Sequence, residues 1–149
     1  MSTGSIVALP GGDLEFHLEL GTAVRELGGK VFAIDLPPAS PAPMSVLICA
    51  RIHELGPAAP LVVVAPASSV QYLPALALAQ RAAHRRIAAY YLIDPLTDPT
   101  GPEWPDAPVY VIRQTRAAAT KLPELRGWQE ISFNAIDELV AALVASASI

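Results

Sequence analysis

Residues 60–95, PLVVVAPASSVQYLPALALAQRAAHRRIAAYYLIDP, decide the fold of this 149-residue chain. Leu61-Val62-Val63-Val64-Ala65 is a continuous β-branched run with no polar face, the pattern of a strand covered on both sides at the centre of a sheet. Pro66 closes it. A helix is expected over much of Ser69 to Arg85, where Pro74 is tolerable only within the first turn, because its missing N–H would find no helical partner there. Ala88 to Ile93 reads as the next strand, followed directly by Asp94. Strand, bend, helix and strand in this order make the repeating unit of a parallel sheet with helices on both faces.

The flanking segments repeat the pattern. Ser5 to Leu9 is a short apolar strand ended by the turn Pro10-Gly11-Gly12. Leu14 to Leu20 alternates as a strand would, yet Phe16, Leu20, Val24 and Leu27 fall at helical spacing. The Gly28-Gly29 stop, and the dozen or so residues a parallel crossover needs, favour a helix over most of Asp13 to Leu27, with a hairpin as the alternative. Lys30 to Asp35 is a strand, Leu36 to Pro43 a proline-rich loop, and Met44 to Leu55 a helix closed by Gly56-Pro57. Beyond Asp94, a loop to Pro108 leads to a strand at Val109 to Arg113, a short last strand at Glu130 to Phe133, and a helix at Ala135 to Val144 with Asn134 as candidate N-cap. The expected architecture is one α/β domain over residues 1–149: three layers, doubly wound, around a mostly parallel sheet of about five or six strands.

Composition narrows the function classes. The chain is 52% hydrophobic with mean hydropathy +0.40 and only 16% charged. That is too apolar for a disordered chain and rich for a fully solvated surface, so a protein partner or homo-oligomer is expected. A net charge of -4 argues against nucleic acid and anionic lipid. The single cysteine, Cys49, excludes an internal disulfide, and no His or Cys cluster has metal-ligand spacing. No cofactor motif is present, and no secretory signal or span of roughly 20 apolar residues appears, which places the expected protein in the cytoplasm and off the membrane.

Residues 60–95, with a Leu-Pro-Ala helix start after a sharp bend and an Asp after the next strand, resemble the nucleophile-elbow region of the α/β-hydrolases. Bacterial members carry G-H-S-x-x-G at that bend. Leu27 to Pro37, ending in Asp35-Leu36-Pro37, is similar to the strand such proteins end with Asp-Leu-Pro, and Trp104 to Tyr110 and Gly127-Trp128 resemble later parts of the core. The resemblance implies a reduced hydrolase core without the N-terminal strands or a cap. Aligned on Leu73-Pro74-Ala75, the G-H-S positions fall on Ala65, Pro66 and Ala67, so a methyl group stands where the nucleophile should be. No histidine follows His84, and Val109 to Ile112 runs into Arg113-Gln114-Thr115 where an acid is expected. Asp94 occupies an alternative acid position, but an acid without a histidine has nothing to orient.

The remaining candidates are weighed against structural roles. Ser68 and Ser69 lie one and two positions past Ala67 and are the weak catalytic candidates, together with Asp94. A serine opening a helix serves more often as an N-cap than as a nucleophile. Gly11 and Gly12 could face a ligand with their N–H groups, although a tight turn needs glycine in any case. Tyr72 and Trp104 are candidate binding residues, with Trp104 the best exposed of the aromatics; Tyr91, inside a strand, reads as core. His17, His53 and His84 fall on helices, away from strand C-terminal ends, and Cys49 reads as a small buried hydrophobe. The expectation is a catalytically inactive, hydrolase-like binding or accessory subunit of a bacterial biosynthetic enzyme complex, taking a protein partner, a peptide or a small-molecule ligand. The alternative is a small esterase or related enzyme built on Ser68 or Ser69 and Asp94.

Overall fold

The computed structural model describes residues 4–11, 14–34, 43–95, 104–112, 129–131 and 136–147. Six strands form one sheet: β1 (Ser5–Ala8), β2 (Val31–Ala33), β3 (Leu61–Pro66), β4 (Ile87–Ile93), β5 (Val109–Ile112) and β6 (Gln129–Ile131). Their order is β2-β1-β3-β4-β5-β6, and every neighbouring pair is parallel. The helices are α1 (Leu14–Glu26), α2 (Met44–Leu55), α3 (Leu73–Ala82) and α4 (Ile136–Ala147), with a 3-10 segment at Ala67–Tyr72 leading into α3. The fold class is α/β, as the sequence pattern implies.

The β-branched run takes the centre. All six residues of β3 are buried, and they alternate between two cores because successive side chains of a strand point to opposite faces. Leu61, Val63 and Ala65 pack with Ile48 and Ile52 of α2 and Leu73, Leu76 and Ala77 of α3. Val62 and Val64 pack on the opposite face with Leu20 and Val24 of α1 and Leu139, Val140 and Leu143 of α4. Each such side chain, fully buried, contributes about 1.5–3 kcal/mol. Tyr90 and Tyr91 are adjacent in β4 and therefore belong to different cores.

Residues 14–26 are helical, which removes the hairpin alternative. A hairpin would have left β1 and β2 antiparallel, whereas they run parallel with Ile6 opposite Val31. Helix α2 spans the expected residues and ends at Gly56, which holds a left-handed conformation and donates its N–H to the Ile52 carbonyl. The helix expected from Ser69 begins only at Leu73, with Pro74 in its first turn. A 3-10 segment takes the preceding residues because Pro74, lacking an N–H, is accommodated by starting a new helix just before it. Strand β2 is shorter than expected, and Asp35 to Ala42, Gly12, Asp13, Arg113 to Trp128 and the candidate cap Asn134 lie outside the described residues.

Helix α4 closes the fold over its own beginning: the Gly4 N–H donates to the Ala147 carbonyl at 2.8 Å. The Tyr91 hydroxyl lies 2.7 Å from Ser146 Oγ, fastening β4 to the same helix. No helix among the described residues is long and apolar enough to cross a membrane.

Candidate functional site

In an open parallel sheet, ligands gather where the strand order reverses, outside the carboxyl ends of the strands. Here the chain leaves β1 for β2 on one side and returns to β3 on the other, so the reversal lies between β1 and β3. The Leu9 N–H donates to the Val64 carbonyl at 2.9 Å, which carries the ladder one residue past β1 and brings Pro10-Gly11 beside Pro66.

Two side chains pin that turn. The Ser69 hydroxyl, on a residue only 2% exposed, donates to the Pro10 carbonyl. His17 Nε2 lies 2.6 Å from the Gly11 carbonyl. A carbonyl can only accept, so Nε2 carries a proton and donates it to Gly11. Gly11 sits at φ 117, and a Cβ there would lie 3.0 Å from Ser69 Oγ and 3.4 Å from the Pro66 carbonyl oxygen. Conformation and space both require glycine.

These contacts correct two expectations. Ser69 caps nothing: Pro66 holds the N-cap position of the 3-10 segment, with no side-chain cap, and the Ser69 hydroxyl reaches across 59 positions of sequence instead. His17 is on a helix as expected, but it is not remote from the strand ends, because it stands in the first turn of α1 and folds back onto the residue that follows β1. His84 lies just past α3 at φ 59 rather than within it, and His53 is exposed on α2.

Asp94 follows β4 at the same edge of the sheet, where Ile93 pairs with Pro66 of β3. Its φ is 44, in the left-handed region that Asp tolerates better than most residues, and its N–H donates to the Ile112 carbonyl at 2.9 Å. The backbone of Ala67 and Ser68 opens the 3-10 segment, and their side chains lie outside the description, as does Gly12. Tyr72 ends that segment half-buried against the core on the α2 and α3 side.

Trp104 is not the exposed aromatic the sequence suggested. It is 7% exposed and packs edge-on to Tyr90 with ring centroids 5.4 Å apart. A surface loop dense in Pro and Asp reads as polar, but an indole buries more apolar area than its neighbours can offset, and it anchors this loop to the core. The Tyr90 hydroxyl donates to Asp106 Oδ1 at 2.6 Å, and Arg81 of α3 lies 3.4 Å from Oδ2. Burial, and then the Asp106 hydrogen bond and charge, push the Tyr90 phenol far above its ordinary range. Burial also raises the Cys49 thiol, which is half-buried beside the α2 core.

No family model and no curated protein matches the chain. Solved structures similar to it include the crystal structure of DphMB1, with a TM-score of 0.52 and 18% sequence identity over 99% of this chain and 73% of that one. At that identity the likeness is one of fold.

The chemistry available at the strand ends follows from what faces what. An oxyanion site needs N–H donors aimed at one point. The β1 turn instead turns two carbonyl oxygens, those of Pro10 and Gly11, toward Ser69 and His17. Pro10 and Pro66, one in each of the two adjoining turns, have no N–H to offer. Among the residues whose side chains are described, no group of three or more His, Cys, Asp or Glu is placed to hold a metal ion.

Proposed function

We propose that this chain is a catalytically inactive relative of the α/β-hydrolases that works by binding, as an accessory subunit of a bacterial cytoplasmic enzyme complex or as a homo-oligomer. The strand order supports the kinship. It sets the turn after β1 beside the bend after β3, the two places where hydrolases put the oxyanion loop and the nucleophile elbow. One observation carries the inactivity: Ser69, the described hydroxyl at the bend, is buried and gives its proton to the Pro10 carbonyl. A nucleophilic serine gives that proton to a base. Ala67 stands at the position aligned with the nucleophile. The composition, 52% hydrophobic and only 16% charged, supports a protein partner.

Turnover of p-nitrophenyl acetate by the native protein, Ser68→Ala and Ser69→Ala tests the catalytic half. The expected rates equal the buffer background in all three. Turnover above background that disappears in Ser68→Ala, with the circular dichroism spectrum unchanged, would establish the enzyme reading instead. Light scattering after size-exclusion chromatography, together with stoichiometric co-purification from the native cell, tests the binding half. A monomer at high concentration with no co-purifying protein overturns it.

A further inference from the structure

A cavity of about 240 Å³ lies between α1 and the β1–β2 edge of the sheet, where Ala8 of β1 and Leu20 of α1 reach it from the core they share. Its walls include Leu20, Val31 and Ala33, and its polar groups are those of His17, Thr22 and Arg25. The volume is below the roughly 300–1,000 Å³ of sites for drug-sized ligands, so a molecule of few heavy atoms fits.

The charge in this cavity is Arg25. No hydrogen bond or ion pair joins its guanidinium to another described residue. Gly21 stands one turn earlier in the interior of α1, where glycine is disfavoured. A Cβ there would lie 3.4 Å from Arg25 Nη1 and 3.7 Å from Cζ. The guanidinium thus lies back along the helix over position 21, at van der Waals distance from where a side chain there would begin, and stands at the cavity rim. His17 Nε2 is already engaged by Gly11, which leaves the planar fork of Arg25 as the principal donor.

We propose that this cavity binds a small monocarboxylate with a short aliphatic tail. Arg25 takes the carboxylate through two N–H groups, Thr22 stands beside it as a further donor, and Leu20, Val31 and Ala33 receive the tail. A compact phosphate would leave that apolar wall in water, and a neutral amide would lack the charge that Arg25 answers. The site is independent of whether Ser69 is inert, since ester turnover and ligand binding are separate readouts.

Titration calorimetry of the full chain with sodium butyrate, butyramide and inorganic phosphate tests the proposal. Saturable butyrate binding is expected, weakened about tenfold or more in Arg25→Gln and for butyramide, with phosphate weaker than butyrate. If Arg25→Gln melts early, Arg25→Lys keeps the charge without the fork and is expected to weaken butyrate as well. Butyrate bound no better than butyramide, phosphate bound as tightly as butyrate, or affinity unchanged in the folded Arg25 variants overturns the proposal.

Discussion

The hydroxyl of Tyr90 donates to Asp106 at 2.6 Å, joining the middle of β4 to the loop that precedes β5. Arg81 reaches the same carboxylate from α3 at 3.4 Å, so strand, loop and helix share one acceptor. Tyr90→Phe leaves the ring and its contact with Trp104 in place and removes only the donor. A loss of about 1–3 kcal/mol is expected in urea unfolding, since the hydrogen bond is to a charged group in a partly buried setting. Asp106→Asn, which keeps an acceptor without the charge, should cost less.

The same phenol makes stability fall in alkali. Tyr90 titrates well above its ordinary value of 10.0 in the folded protein, first because of burial and then because of Asp106. Above pH 10 the unfolded chain loses this proton while the folded chain keeps it, so unfolding is favoured progressively. The stabilisation is full below that pH and declines above it. Tyr91, raised by burial, adds to the effect. Urea midpoints measured across this range should drop less steeply for Tyr90→Phe than for the native protein.

Gly11→Ala combines a φ of 117 with a Cβ 3.0 Å from Ser69 Oγ. Both terms oppose folding, and a cost of about 1–3 kcal/mol is expected from the backbone alone. Ser69→Ala removes the donor that satisfies Pro10 and should cost about as much for leaving that carbonyl without it. Because both substitutions weaken one contact, their combined effect should be smaller than the sum, which a double-mutant cycle in denaturant measures.

Trp104 gives a direct optical test. With Trp128→Phe as background, the remaining indole should emit at short wavelength and resist acrylamide, because it is 7% exposed. Trp104→Ala in that background should cost about 3–5 kcal/mol, the range for emptying a large aromatic site.

Cys49 should react slowly with Ellman's reagent at neutral pH and at full rate in denaturant. Its thiol is half-buried and its ionisation is pushed up by desolvation, so little thiolate is available in the folded protein.

The layers of the fold were legible because they depend on local pattern. Three consecutive valines within the apolar run Leu61 to Ala65, bounded by Pro60 and Pro66, favour a strand covered on both faces, and helix α2 has a proline before it and a glycine after it. The site was less legible because its contacts are distant in sequence. Nothing near Ser69 announces Pro10 as its partner, and the fold alone brings the two together. His17 was closer to reach: a residue in the first turn of a helix lies near the loop that enters it, and six positions separate it from Gly11. Trp104 was misplaced because its neighbours are proline and aspartate, which describe the loop's surface and say nothing of what hangs beneath it.

The bond from Gly4 to Ala147 also bears on how the protein is made. Ribosomes deliver β1 well before α4, yet its inner wall at Ile6 and Ala8 is roofed partly by Leu139, Val140 and Leu143. Nascent chains therefore carry a greasy, half-built wall until Leu143 has been added and has cleared the exit tunnel, and a chaperone has that interval in which to hold them.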